Sequence, residues 1–98
     1  MIVHFDIETN EINDWVRLSD LKEIHCFCVS VDYGEPFVVD PNVGCNILGS
    51  ARMVVGHNVI GFDLPALKKL LGFSFGGNVL DTLVLSRLLK TRLKNKLS

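Results

Sequence analysis

What this sequence lacks narrows it first. No apolar run approaches the roughly 18 to 20 residues of a membrane span, and the N-terminus has neither the basic start nor the long apolar stretch of a signal peptide. A cytoplasmic protein with no membrane partner is the expectation. The cysteines are three, Cys26, Cys28 and Cys45. Their odd number argues against a disulfide framework and their spacing suits no metal, so they are expected as small buried apolar residues. No internal repeat or low-complexity segment is present, and no acid follows Asp81.

What is there is apolar enough to fold. With 48% hydrophobic and 21% charged residues in a chain of 98, the composition is that of one globular domain over 1–98, at the small end of the usual size range. The net charge of −1 hides an asymmetry: residues 1–49 carry nine acids against Arg17 and Lys22, whereas residues 50–98 carry Asp63 and Asp81 against eight bases. Either the two halves attract one another within the fold, or an acidic metal site lies beside a phosphate-attracting face.

Met1 to Ile7 reads as a central strand. Ile24 to Val31 alternates, and the turn Asp32-Tyr33-Gly34-Glu35-Pro36 leads into Phe37-Val38-Val39, a hairpin signal. Glu11 to Lys22 is expected as a short helix or ordered loop, with Trp15 as a packing anchor. After Pro41 strands alternate with helices: a short helix closing over Asn46 to Ser50, a strand Arg52 to Val55, a helix Asp63 to Leu71 with Asp63 near its N-cap and Gly72 at its C-terminal end, a brief strand Val79-Leu80, and a helix from Thr82 to about Leu93 capped by Asp81. Leu83, Leu85, Leu88 and Leu89 give that last helix an apolar stripe. The order implies an α/β fold with a mixed sheet, antiparallel in its first three strands and joined by crossovers afterwards.

The segment MIVHFDIETN raises the chemical question. Residues i and i+2 of a strand share a face, so Asp6 and Glu8 stand side by side at the strand's end. Two carboxylates 4 Å apart repel by about 4 kcal/mol at an effective dielectric of 20. A partly buried pair needs a cation or a shared proton; the plain alternative is a solvated strand end. A second segment, VVGHNVIGFDLPAL, places Asp63 at another strand-to-helix junction, and such junctions gather at one sheet edge. Three carboxylates there would suit Mg²⁺ or Mn²⁺.

FDIET, HNVIGFD and VLDTLVLSRLL, in that order from residue 2 to about residue 89, together resemble the DEDD-type 3′–5′ proofreading exonucleases, and are most similar to the exonuclease domain of family A replicative DNA polymerases from short-tailed phages. The resemblance implies a ribonuclease H-like fold with a five-stranded sheet and two-metal phosphodiester hydrolysis at a single-stranded DNA 3′ end. It also implies roles. Asp6 would bridge two Mg²⁺ or Mn²⁺ ions, Glu8 would ligate the nucleophile-side ion and Asp63 would hold the other through water. Asn58 and Phe62 match the second motif, Phe62 positioning the helix or touching the end base, and Thr9 would meet the terminal nucleotide.

The same resemblance exposes a departure. The third motif of that family, a Tyr or His a few residues ahead of a fourth Asp, has no counterpart in these residues, so the chain reads as an exonuclease domain cut before it. Loss of such groups removes much of the positioning and charge stabilisation that drive catalysis, and a weak or silent nuclease is the expectation. The alternatives are a catalytically inactive nucleic-acid- or metal-binding module, or one half of a split exonuclease completed by a polymerase or another partner chain. Asp81 is expected to cap a helix or support the site, and His57 to serve a hydrogen-bonded structural role. The basic tail KTRLKNKLS would bind phosphates or complement the negative end of its helix.

Overall fold

A computed structural model describes residues 1–10 and 21–97, with side chains through Arg92. The expected helix or loop over Glu11 to Lys22, with Trp15, lies outside the described residues except for its last two positions. The elements run β1 (Ile2–Thr9), β2 (Ile24–Val31), β3 (Phe37–Val38), α1 (Pro41–Gly49), β4 (Met53–Gly56), α2 (Leu64–Leu71), β5 (Asn78–Asp81) and α3 (Thr82–Leu97), with a π-helical turn at Val59–Asp63 leading into α2. The strand order in the sheet is β3-β2-β1-β4-β5. β1, β2 and β3 pair antiparallel, while β4 and β5 join through parallel pairings. This is the mixed five-stranded α/β sheet expected, and it is compatible with the ribonuclease H-like fold that the resemblance implies.

Alternation explains how β1 serves two purposes. Val3, Phe5, Ile7 and Thr9 are buried, whereas Asp6 and Glu8 between them are exposed. The period of two therefore gives one face to the core and the other to the acids. β2 adds Phe27 and Val29 to the same core. The hairpin to β3 turns tightly, with the Gly34 amide donating to the Val31 carbonyl at 2.9 Å and positive φ at both Asp32 and Tyr33. Both features belong to a type I′ turn, whose twist matches that of paired strands.

The core lies between this sheet and the first two helices. Leu48 from α1, Val59 from the π-helical turn, and Ala66 and Leu67 from α2 are all fully buried there. α1 closes at Gly49 within the span expected to end it and opens at Pro41, where Asp40 accepts the Asn42 amide at 2.9 Å and the missing proline amide costs nothing. α2 ends at Gly72, as expected, in the left-handed conformation at φ 67°. The cysteines depart from expectation. All three are half-buried, since Cys26 and Cys28 alternate with the core residues of β2 and so fall on its opposite face.

Gly44 is where α1 comes closest to the sheet. A Cβ there would lie 2.7 Å from three atoms of the Phe27 ring, and that ring is fully buried and stacked on Phe5 at 6.1 Å. Helix propensity alone favours Gly44→Ala by about 1 kcal/mol, but overpacking a filled core costs about 1–3 kcal/mol. The expected outcome is a net loss of about 1 kcal/mol, seen as a lower urea midpoint. A raised midpoint would show that Phe27 can yield.

α3 leaves the sheet from the end of β5, and its apolar stripe does not join the core. Leu83 is half-buried, while Val84, Leu85, Leu88 and Leu89 are exposed. Among the described residues no helix is long and apolar enough to cross a membrane.

Candidate active site

The site is built where β4 stops following β1. Their parallel pairing covers Ile2 to His4, after which the chain swings away at Gly56. A side chain at Gly56 would collide with Val59 and would lie 2.9 Å from the Phe5 carbonyl oxygen, so glycine lets the turn pass this close to β1. Asn58 then adopts the left-handed conformation, φ 59° and ψ 32°. The Phe62 amide closes back on the Asn58 carbonyl at 3.0 Å, and the π-helical turn ends on Asp63.

Past the paired stretch, the Ile7 amide donates to Asp63 Oδ2 at 3.2 Å. Asp63 is thus held against the backbone residue that separates Asp6 from Glu8. Its expected N-cap bond is absent: Asp63 has helical φ and ψ and its side chain makes no cap hydrogen bond to α2. The carboxylate reaches across to the sheet instead. Burial, opposed by the Ile7 amide and reinforced by the negative charge of Asp6, pushes the Asp63 carboxyl up to about 7, with its own amide lowering it and Asp81 adding a smaller upward push.

Asp6 and Glu8 are exposed on the open face of β1, opposite Cys28 and Cys26 on β2. Beside Asp6 that face has a cavity of about 280 Å³ lined by His4, Cys28, Val55, His57 and Thr82, among others. His57 Nδ1 lies 3.0 Å from Thr82 Oγ1, which fits the structural role expected of it. Of the residues the resemblance assigned to substrate, Asn58 is exposed at the turn, Phe62 is half-buried against the core, and Thr9 is buried on the inward face of β1.

Asp81 does more than the helix capping read from the sequence. Its Oδ1 accepts the amides of Asn58 at 2.8 Å, Leu83 at 2.9 Å and Val84 at 3.4 Å, and its Oδ2 accepts the Ile60 amide at 2.9 Å. Burial works against its charge, but these four amides prevail and hold the carboxyl below its ordinary value. The Asp-Thr pair opening an apolar helix signals the bonds to Leu83 and Val84. Nothing local signals those to Asn58 and Ile60, more than twenty residues earlier in the chain.

The donor set tests the ion that the resemblance implies. Among the described residues no group of three or more His, Cys, Asp or Glu stands close enough to hold a metal, so Asp6, Glu8 and Asp63 do not form a closed cage. Asp6 directly precedes Ile7, whose backbone amide Asp63 grips, near enough for its negative charge to push the Asp63 carboxyl upward. An all-oxygen pair with solvent on one side fits a cation that keeps several waters, as Mg²⁺ does.

The fold is an α/β domain whose mixed five-stranded sheet is compatible with the ribonuclease H-like fold, with Asp63 at a strand-to-helix junction. Among solved structures the chain is similar to the family B DNA polymerase from the hyperthermophilic archaeon Pyrobaculum calidifontis, with a TM-score of 0.56 and 21% identity. The match covers 74% of this chain and 11% of that one, so the chain spans a small fraction of the polymerase's length. At this identity the likeness is one of fold. No protein-family model and no curated protein matches the sequence.

Proposed function

We propose that the chain is part of a proofreading-type 3′–5′ exonuclease domain, of the DEDD kind and resembling those of phage family A DNA polymerases, acting weakly or not at all by itself, in the cytoplasm, on the 3′ ends of single-stranded DNA. The observation that carries this reading is the bond from the Ile7 amide to Asp63, which joins the D-x-E strand to the second acidic motif. Asp6 and Asp63 would hold a Mg²⁺ or Mn²⁺ ion, with Glu8 beside them on the face of Asp6. Such ions generate a hydroxide nucleophile and stabilise the leaving 3′ oxygen. The exposed Asn58 lies at the mouth of the turn, where a terminal nucleotide would meet the protein, and Phe62 supports that turn from the core side.

A second reading has its own support. Among the described residues the three carboxylates do not close around a common point, and no acid follows Asp81 in these residues. A metal- or nucleic-acid-binding module with little hydrolytic power, or one half of a split exonuclease that a partner chain completes, accords with that open arrangement and with the lack of a matching third motif. The two readings separate on a 3′-labelled single strand incubated with purified chain and Mn²⁺. The exonuclease reading expects slow mononucleotide release that Asp6→Ala abolishes. Release that survives Asp6→Ala would exclude this site as its source, and single-strand binding without any release would favour the module.

A further inference from the structure

We propose that Asp81 is the positioning residue for Asp63, fastening the turn that carries Asp63 to the end of β5 and the first turn of α3. The inference rests on the reading of Asp63 as an ion-holding carboxylate only for its functional consequence; the fastening is a matter of geometry.

The amides at the start of a helix have no acceptor within that helix. Here two such starts converge. Asn58 and Ile60 open the π-helical turn that ends on Asp63, and Leu83 and Val84 open α3. The Asp81 carboxylate serves both, accepting two amides from each side. A carboxylate has two oxygens with about four lone-pair sites, enough for all four donors. Asparagine offers one such oxygen, and its NH₂ group would face an amide that it cannot accept. A hydroxyl offers one oxygen on a shorter stem.

Val59 anchors the turn in the core, but the start of the turn has little else to fix its backbone. Asn58 sits in a left-handed conformation with no side-chain cap of its own, π-helical turns are rare, and Asp63 makes no cap bond to α2. The Asp63 carboxylate meets Ile7 only if this five-residue turn keeps its path from Gly56. Asp81, at the end of a strand paired to β4, ties that path to the sheet. With Asp81 altered, the turn is free to relax and the carboxylate moves off the Ile7 amide.

The test compares Asp81→Asn with Asp40→Ala, which removes the cap of α1 at another place in the fold. Amide hydrogen exchange read residue by residue reports on Ile7 directly. Expected is exchange at Ile7 about tenfold faster in Asp81→Asn than in Asp40→Ala, under conditions where the two have equal global stability. Equal Ile7 protection at matched stability overturns the proposal, whatever the metal does. Mn²⁺ titration supplies the functional arm. Weakened Mn²⁺ binding in Asp81→Asn but not in Asp40→Ala supports both the fastening and its consequence. Faster Ile7 exchange in a chain whose wild type binds no Mn²⁺ supports the fastening and contradicts the exonuclease reading.

Discussion

In buffer free of divalent ions, the wild-type chain is expected to lose stability as the pH rises from about 4 to about 8, and Asp63→Asn to escape that loss. The Asp63 carboxyl is held at about 7 in the folded protein, against 3.8 ordinarily. Between those values the native state binds a proton that the unfolded chain has released, so raising the pH favours unfolding. The stabilisation is complete below about pH 4 and is lost as the pH passes through about 7. The difference corresponds at most to about 4 kcal/mol, and water at the open side of the site brings the expected effect nearer to about 2 kcal/mol. Asparagine keeps an oxygen for the Ile7 amide and removes the charge. Urea unfolding at several pH values should therefore show Asp63→Asn more stable than wild type at pH 8 and close to it at pH 4. Adding Mg²⁺ at pH 8 should narrow the gap by stabilising the wild type alone. Parallel pH profiles would mean that Asp63 is solvated and titrates normally.

Asp81→Ala is expected to be more damaging than any other loss of a single cap. Removing one ordinary N-cap costs about 1 kcal/mol, the effect anticipated for Asp40→Ala, which frees one amide. Asp81→Ala frees four, from two helix starts, at a position where the side chain is buried. Buried donors left without partners cost about 1–3 kcal/mol each, though some here can reach water once the carboxylate is gone. A loss of about 3 kcal/mol is expected, lowering Tm by about 15 °C in a domain of this size. A drop no larger than that of Asp40→Ala would show that solvent replaces the carboxylate without penalty. The two acids also set opposite limits on pH. Asp81, held below its ordinary value, gives stability present above the unfolded carboxyl value and lost on further acidification, whereas the contribution of Asp63 is lost toward alkaline pH.

Strands whose side chains alternate were the most legible part of the fold. β2 runs over Ile24–Val31, the span its alternation predicts, and the same period of two in β1 correctly put Asp6 and Glu8 on one face. β1 itself extends through Thr9, because an exposed acid at every second position is compatible with a strand whose other face is buried. The close of α1 was legible and ends at Gly49, whereas its opening was not, since Gly44 and the neighbouring asparagines dilute its apolar pattern. The π-helical turn had no readable period, and Asp63 makes no cap bond because its carboxylate answers a sheet amide 56 positions away in sequence. The second half of Asp81's bonding was hidden for the same reason. The first depends on β4 lying parallel to β1, the second on β5 lying parallel to β4, which brings one junction beside the other.

The proposed function joins Asp6 and Asp63 in one divalent-cation site. Its most direct test is Mn²⁺ titration of the purified chain near neutral pH, followed by the loss of the free-ion electron paramagnetic resonance signal, for wild type, Asp6→Ala and Asp63→Asn. Saturable binding by the wild type that falls at least about tenfold, or about 1.4 kcal/mol, in each variant is the predicted result. Binding of equal strength in all three, or none in the wild type, would contradict it.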